Sequence, residues 1–239
     1  MSAGTRRARA AGVPAPPIVA WTPERPGGAP DEAAALLARG AVVAHPTETV
    51  YGLAAAANLE AAHRRLLELK GGSTPRAFLL LFESRRALQE RFGRLPAGGE
   101  ALADAFWPGP LTLLFPAPAD LPAWWSGPDG DVAARVTPHP FCRELIGRLG
   151  GPILSTSANR AGEPACRTAE AIARAFAGSR LALIVDGGPL EGIPSTLLRW
   201  TEERGWTTLR PGVVSDAALR ATLEAARRRQ GGARAEADP

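Results

Sequence analysis

Residue types able to bind small charged molecules fall in four short segments, each with Gly or Pro beside an apolar run. HPTETVYGLAA at 45–55 puts a Pro at a strand exit and then offers Thr47, Glu48 and Thr49, two hydroxyls and a carboxylate, before Tyr51 and Gly52. LKGGSTPRAFLLL at 69–81 holds Lys70, the only lysine of the chain, at the mouth of a Gly-rich loop, where an ammonium suits a phosphate. PILSTSANRAGEP at 152–164 is rich in small hydroxyl-bearing side chains that let backbone N–H groups approach an anion, with Asn159 ahead of a turn at Gly162. GGPLEGIPSTLLRW at 187–200, followed by TTLRPG at 207–212, sets Ser195, Thr196 and Arg210 at strand ends. WPGPLT at 107–112 and ARVTPHP at 134–140 complete the set, and in the latter Arg135 alternates with apolar neighbours.

Two familiar chemistries are excluded. The Lys70 loop lacks the GxxxxGK[ST] spacing of a P-loop, and no GxSxG elbow is present for a serine hydrolase. His45, His63 and His139 lie in a pre-Pro position, on a helix face and in a Pro-flanked turn, which are packing or solvated settings. Taken singly, each segment also has a plain structural reading. Thr47-Glu48-Thr49 can cap a turn, Lys70 can be a solvated helix end, and Arg135 can be a surface arginine on a strand.

The elements that must position these groups alternate between helix and strand. DEAAALLARG leads into AVVAH, and NLEAAHRRLLELK leads into AFLLLF. Asp31 and Glu32 favour a helix start and Gly40 a helix end, while Leu59, Ala62, Leu66 and Leu69 make an apolar stripe at helical spacing. Further strands are expected near 111–116, 132–136, 153–155, 181–185, 196–200 and 206–209. Helices are expected near 84–92, 98–106, 140–149, 168–177 and 216–229. Such alternation implies an α/β fold, whose ligands gather at strand ends.

With 239 residues the chain can bury one substantial core. The Pro-, Gly-, Ala- and Arg-rich residues 1–25 read as a flexible arm, 26–229 as one catalytic domain and 230–239 as a flexible tail. The formal charge of +4 is contributed by three Arg in residues 1–20 and by five Arg against four acids in 216–239, which leaves 21–215 balanced. A nucleic-acid-binding core is therefore not indicated. Cys142 and Cys166 lack zinc-site spacing and read as reduced thiols, and no apolar run is long enough to span a bilayer. A cytoplasmic protein with no membrane association is expected.

Seven ordered motifs, PTETVYGLA at 46–54, Lys70, WPGPLT at 107–112, VAARVTPHP at 132–140, STSAN at 155–159, GIPST at 192–196 and LRPG at 209–212, closely resemble the YrdC/Sua5-like family. The resemblance covers roughly 30–215 and is to its single-domain form. It implies a YrdC-like twisted mixed sheet flanked by helices with a large concave cleft. It also implies synthesis of threonylcarbamoyl-AMP from L-threonine, bicarbonate or CO2 and ATP, with Mg2+ accompanying ATP and no protein-held metal. The product would pass to a separate tRNA threonylcarbamoyl transferase complex, with weak tRNA contact a further expectation.

By position, Arg135 would clamp the threonine carboxylate and Thr49, Ser155 and Ser195 would shape the amino-acid pocket. Lys70, Arg76, Ser157, Asn159 and Arg210 would meet ATP, with Lys70 and Arg135 at the centre of the chemistry. The chain departs from the family pattern at Gly72, where an Arg belongs, at Asp131 and Ala165 among the ATP contacts, and at His45, a position usually aromatic. Arg76 is expected to substitute for the arginine missing at Gly72. Two other readings fit the same residues: a paralogue with another carbamate substrate or no activity, and a tRNA or double-stranded RNA-binding module.

Overall fold

The computed structural model describes residues 15–72, 77–190 and 192–235, with side chains described to residue 229. Ten strands form one sheet: β1 (Ile18–Ala20), β2 (Val42–His45), β3 (Gly52–Ala56), β4 (Leu79–Phe82), β5 (Leu111–Pro116), β6 (Asp131–Val136), β7 (Ile153–Ser157), β8 (Leu181–Asp186), β9 (Thr196–Thr201) and β10 (Gly205–Arg210). Their spatial order is β1-β8-β2-β3-β7-β4-β6-β5-β9-β10. The sheet is mixed. Pairs β1–β8, β2–β8, β4–β6 and β5–β9 are parallel, and β2–β3, β3–β7, β4–β7, β5–β6 and β9–β10 antiparallel.

Among the described residues the α-helices are α1 (Ala29–Ala38), α2 (Glu60–Leu69), α3 (Arg85–Phe92), α4 (Gly99–Phe106), α5 (Pro140–Leu149), α6 (Ala169–Ala175) and α7 (Asp216–Ala235). Local chemistry sets their ends. Ser84 and Thr168 cap α3 and α6 by accepting from Ala87 N and Ala171 N at 3.1 and 3.2 Å. Gly40, at φ 77°, makes the left-handed turn after α1 that a side chain would resist.

Two apolar clusters lie on opposite faces of the sheet, as alternation along the strands requires. The larger takes Leu66, Leu88, Leu102, Ile172 and Leu219 from α2, α3, α4, α6 and α7. The smaller takes Leu37 from α1 and Phe141, Leu145 and Ile146 from α5, against Val43, Ala54, Leu81, Ile153 and Leu183. No side chain of β5, β6, β9 or β10 belongs to that smaller cluster among the described residues. The α1–α5 layer therefore stops at β4, and the same face of β6 and β5, with Ala133, Arg135, Thr112 and Leu114, forms a shelf outside that layer whose side chains are nonetheless buried.

The structure corrects the sequence reading at three places. Residues 18–20, expected in the N-terminal arm, form edge strand β1, and Trp21 is buried against Phe141 with ring centroids 5.4 Å apart. Residues 1–14 of that arm lie outside the described residues. GLAAA at 52–56, where no strand was expected, is the fully buried strand β3. Helix α7 runs to Ala235, past the expected domain end at 229.

Trp21 tests whether the N-terminal segment belongs to the folded unit. Trp21→Ala should lower unfolding stability by about 3–5 kcal/mol in denaturant titration, the usual cost of deleting a buried aromatic ring. A change within about 0.5 kcal/mol, typical of surface sites, would show that β1 is dispensable.

Candidate active site

The loop joining β2 to β3 is built around one hydroxyl. Thr47 Oγ1 donates to Val50 O at 2.7 Å and accepts from Thr49 N and Val50 N at 3.0 and 3.2 Å, which fixes the turn and leaves Thr49 buried at its rim. A Cβ on Gly192 would overlap the Thr49 carbonyl, so the GIPST segment lies directly against this loop. Tyr51, fully buried, donates to Gly188 O at 2.7 Å and accepts from Gly187 N at 3.0 Å, tying the same loop to the exit of β8.

Arg135 projects onto the shelf because Val132, Ala134 and Val136 of β6 point the other way into the larger cluster. It is 3% exposed, and its Nε lies 3.3 Å from Glu48 Oε1 without good hydrogen-bond geometry. Glu48 Oε2 accepts from Thr137 Oγ1 at 2.9 Å. Leu113 faces Ala134 across β5 and β6, so the same register brings Thr112 beside Arg135. Thr112 Oγ1 in turn lies 2.9 Å from Ser195 Oγ.

Arg210 reaches into this rank from β10 and donates to Ser195 O at 3.0 Å and Ser195 Oγ at 3.2 Å. Burial, and secondarily the charge of Arg135, lower its pKa from the ordinary arginine value. Two guanidinium groups thus lie within electrostatic reach of each other, and among the described residues Arg135 is paired with one carboxylate, Glu48. That arrangement calls for an anion.

Lys70 closes the other side. Its Nζ donates to Ser157 O at 3.0 Å, Asn159 O at 2.7 Å and Asn159 Oδ1 at 2.9 Å, three bonds for three N–H groups. Asn159 is equally engaged: Oδ1 also accepts from Ser157 Oγ at 2.5 Å, and Nδ2 donates to Arg160 O at 2.8 Å and Glu163 O at 2.6 Å. Both side chains therefore shape the turn after β7, and Lys70 contributes its charge there. Burial pulls the Lys70 pKa down from 10.5 to about 8.

His45 packs beneath the β2–β3 loop, fully buried, with Nε2 3.2 Å from Ser155 Oγ and Nδ1 3.1 Å from Pro46 O. Burial first, then the charges of His139 and Arg135, push its pKa down to about 3, against a smaller upward pull from the Pro46 carbonyl. It is neutral.

Of the residues expected from sequence, Arg135, Ser195 and Arg210 are linked through Thr112, Thr49 lies on the loop against Gly192, Ser155 meets His45, and Lys70, Ser157 and Asn159 form a separate cluster at the end of β7. Arg76 lies outside the described residues. Asp131, at the far end of β6 from Arg135, is held by Arg199 Nε at 2.7 Å and serves a local ion pair. Sequence reasoning gave no role to Thr112, Thr137 and Gly192. Only the register and the close approach of backbones reveal them. A groove of about 660 Å³ between α4 and α7 is lined by Glu100, Asp104 and Arg229 with several Ala and contains none of these side chains.

Fold and site define an α/β protein with two arginines and a rank of buried hydroxyl side chains, Thr112 and Ser195 among them, on one face of its sheet. The family model for Sua5, YciO and YrdC, described as telomere recombination, matches residues 35–212, and the chain belongs to that family. A threonylcarbamoyl-AMP synthase of Nitrosococcus oceani is 41% identical over 155 residues, 65% of this chain and 83% of that protein. One of Bacillus subtilis is 37% identical over 195 residues, 80% of this chain and 56% of that protein. The crystal structure of P. abyssi Sua5 complexed with L-threonine superposes with a TM-score of 0.77 at 34% identity, covering 86% of this chain and 60% of that one. The chain thus spans little more than half the length of these last two relatives. E. coli YciO shares the fold, with a TM-score of 0.75 at 21% identity over 85% of this chain and 99% of that one.

Because the folded Lys70 value lies below the ordinary one, the folded state binds fewer protons than the unfolded between about pH 8 and 10.5. This group's contribution to stability therefore rises with pH across that window, while the charge useful to a phosphate is lost. Lysine labelled biosynthetically with 13C and 15N marks Lys70 alone, because it is the only lysine of the chain, and leaves its three donors intact. The Lys70 resonance should titrate near pH 8, and a midpoint near 10.5 would refute its burial.

Proposed function

We propose that the protein makes threonylcarbamoyl-AMP from L-threonine, CO2 or bicarbonate and ATP, releasing pyrophosphate for tRNA threonylcarbamoyladenosine synthesis. The observation that carries this reading is the link from Arg135 through its neighbour Thr112 and Ser195 to Arg210 on one face of the sheet, with the Thr49 loop beside it. The amine of threonine adds to CO2 to give a carbamate, and a carbamate oxygen attacks the α-phosphorus and expels pyrophosphate. No protein nucleophile is needed. The demands are placement of two anions against each other and compensation of their charge.

In this reading Arg135 receives the threonine carboxylate in a bidentate pair, and Thr49, Ser155 and Ser195 surround the rest of the amino acid. Arg210, Lys70 and Ser157 serve the nucleotide phosphates, with Asn159 holding Lys70 and Ser157 in place. Arg76 is assigned to the phosphates on the resemblance alone. Mg2+ accompanying ATP would neutralise phosphate charge, held chiefly by phosphate oxygens and water. Among the described residues no three His, Cys, Asp or Glu side chains come together to hold an ion.

A separate transferase would use the product, and any tRNA contact by this chain would be weak, because its basic excess lies near the ends of the sequence. No described helix is long and apolar enough to cross a membrane. A cytoplasmic setting with Cys142 and Cys166 reduced is part of the same proposal.

Pyrophosphate release from ATP should require both L-threonine and bicarbonate, and release that ignores either would overturn the assignment. Valine should be rejected by roughly 10⁴–10⁵ if the pocket hydrogen-bonds the threonine hydroxyl. Arg135→Ala should weaken threonine binding by about 1.5–3 kcal/mol in calorimetry while ATP affinity changes far less. Unaltered threonine affinity would show that the carboxylate binds elsewhere.

A further inference from the structure

The His45 imidazole, fully buried beneath the β2–β3 loop, meets the proposed amino-acid pocket at Ser155. Nε2 lies 3.2 Å from Ser155 Oγ, while Nδ1 lies 3.1 Å from the Pro46 carbonyl, a group that only accepts. An unprotonated Nδ1 would set two lone pairs against each other there, so Nδ1 carries the proton and Nε2 is the bare acceptor. The Cys142 Sγ lies 3.3 Å from both Pro46 O and Nδ1; its one hydrogen goes to the carbonyl when Nδ1 is protonated, and only a thiol hydrogen turned to Nδ1 would permit the other tautomer. The Ser155 hydroxyl must therefore give its single hydrogen to Nε2.

The contact is closed to competitors. A Cβ on Gly52 would come within 2.7 Å of Nε2 and 2.8 Å of Ser155 Oγ, so the absent side chain is what lets the two meet. Both residues are buried, and the strand register that pairs Ala54 with Ser155 fixes the serine's height on the sheet.

We propose that His45 is a positioning residue that sets the polarity of Ser155, turning the serine to the substrate as a hydrogen-bond acceptor only. A hydroxyl whose proton is committed cannot bind a carboxylate. It can receive a donor, either the α-ammonium of the amino acid or its side-chain hydroxyl. This assigns the carboxylate to Arg135 by exclusion as well as by charge, and it rests on the threonine-binding reading above.

The test is calorimetry on the intact protein with L-threonine, L-2-aminobutyrate, which lacks the hydroxyl, and 3-hydroxybutanoate, which lacks the ammonium. Ser155→Ala should weaken threonine binding about tenfold. The same change should leave unaffected the one analogue that lacks the donor Ser155 receives, which tells ammonium from hydroxyl. In a His45→Phe background, where Ser155 is free to donate, most of that tenfold effect should vanish. Equal cost of Ser155→Ala with and without His45 would overturn the coupling, and an equal loss for all three ligands would overturn the acceptor role. Imidazole nitrogen NMR supplies an arm that needs no ligand: a protonated Nδ1 and a bare Nε2 are expected, and the opposite tautomer overturns the proposal. Failure of the wild-type protein to bind threonine would overturn the functional reading, and the NMR result would still decide whether Ser155 is held as an acceptor.

Discussion

A guanidinium buried to 3% exposure is costly to keep, and much of this molecule is organised around keeping Arg135 where it is. Its charge is balanced by Glu48, which sits on the β2–β3 loop that Thr47 braces from within. Thr137, at the exit of β6, holds the other carboxylate oxygen. Loop, strand and ion pair therefore stand or fall together. Removing Glu48 would leave a buried cation next to Arg210, and removing Arg135 would leave a buried carboxylate with no partner charge. The distance of 3.3 Å and the poor angle leave the ion pair incomplete, which suits a cation that must also serve a ligand.

Close approach of backbones is the second constraint. Gly52 lets β3 lie against His45 and Ser155, and Gly192 lets the GIPST segment touch the Thr49 carbonyl. Gly212 does the same against Pro194 and Ser195, which brings the LRPG turn and Arg210 back over the start of β9. Each contact joins two of the sequence motifs. The motifs are far apart in the chain because each is the end of a different strand, and these glycines are where those ends meet.

The alternation of helix and strand, and most element positions from 111 onward, were legible because apolar periodicity and caps such as Ser84 and Thr168 are local signals. GLAAA at 52–56 was not, because a strand made mostly of small residues has no β-branched or aromatic signature and lies next to a polar loop. IVAW at 18–21 was hidden by Pro-rich flanks, since pairing with β8 is a long-range contact that no window around it contains. Arg135 could be selected because an arginine flanked by apolar strand residues needs a reason. Thr112 could not, because its neighbour Ser195 is 83 residues away and only sheet order brings them together.

The sequence also left open how Lys70 and Asn159 would act, and the geometry separates charge from contact. All three Lys70 donors and the whole Asn159 amide are engaged with the protein, so neither is a loose side chain waiting for a ligand. A lysine held this way acts as a fixed charge, and electrostatic stabilisation is most effective when the charge need not reorganise as the reaction proceeds. The resemblance expects an arginine at Gly72, and under the proposed function the turn after β7 carries a cation of its own in Lys70, held by Ser157 and Asn159 and so independent of that position.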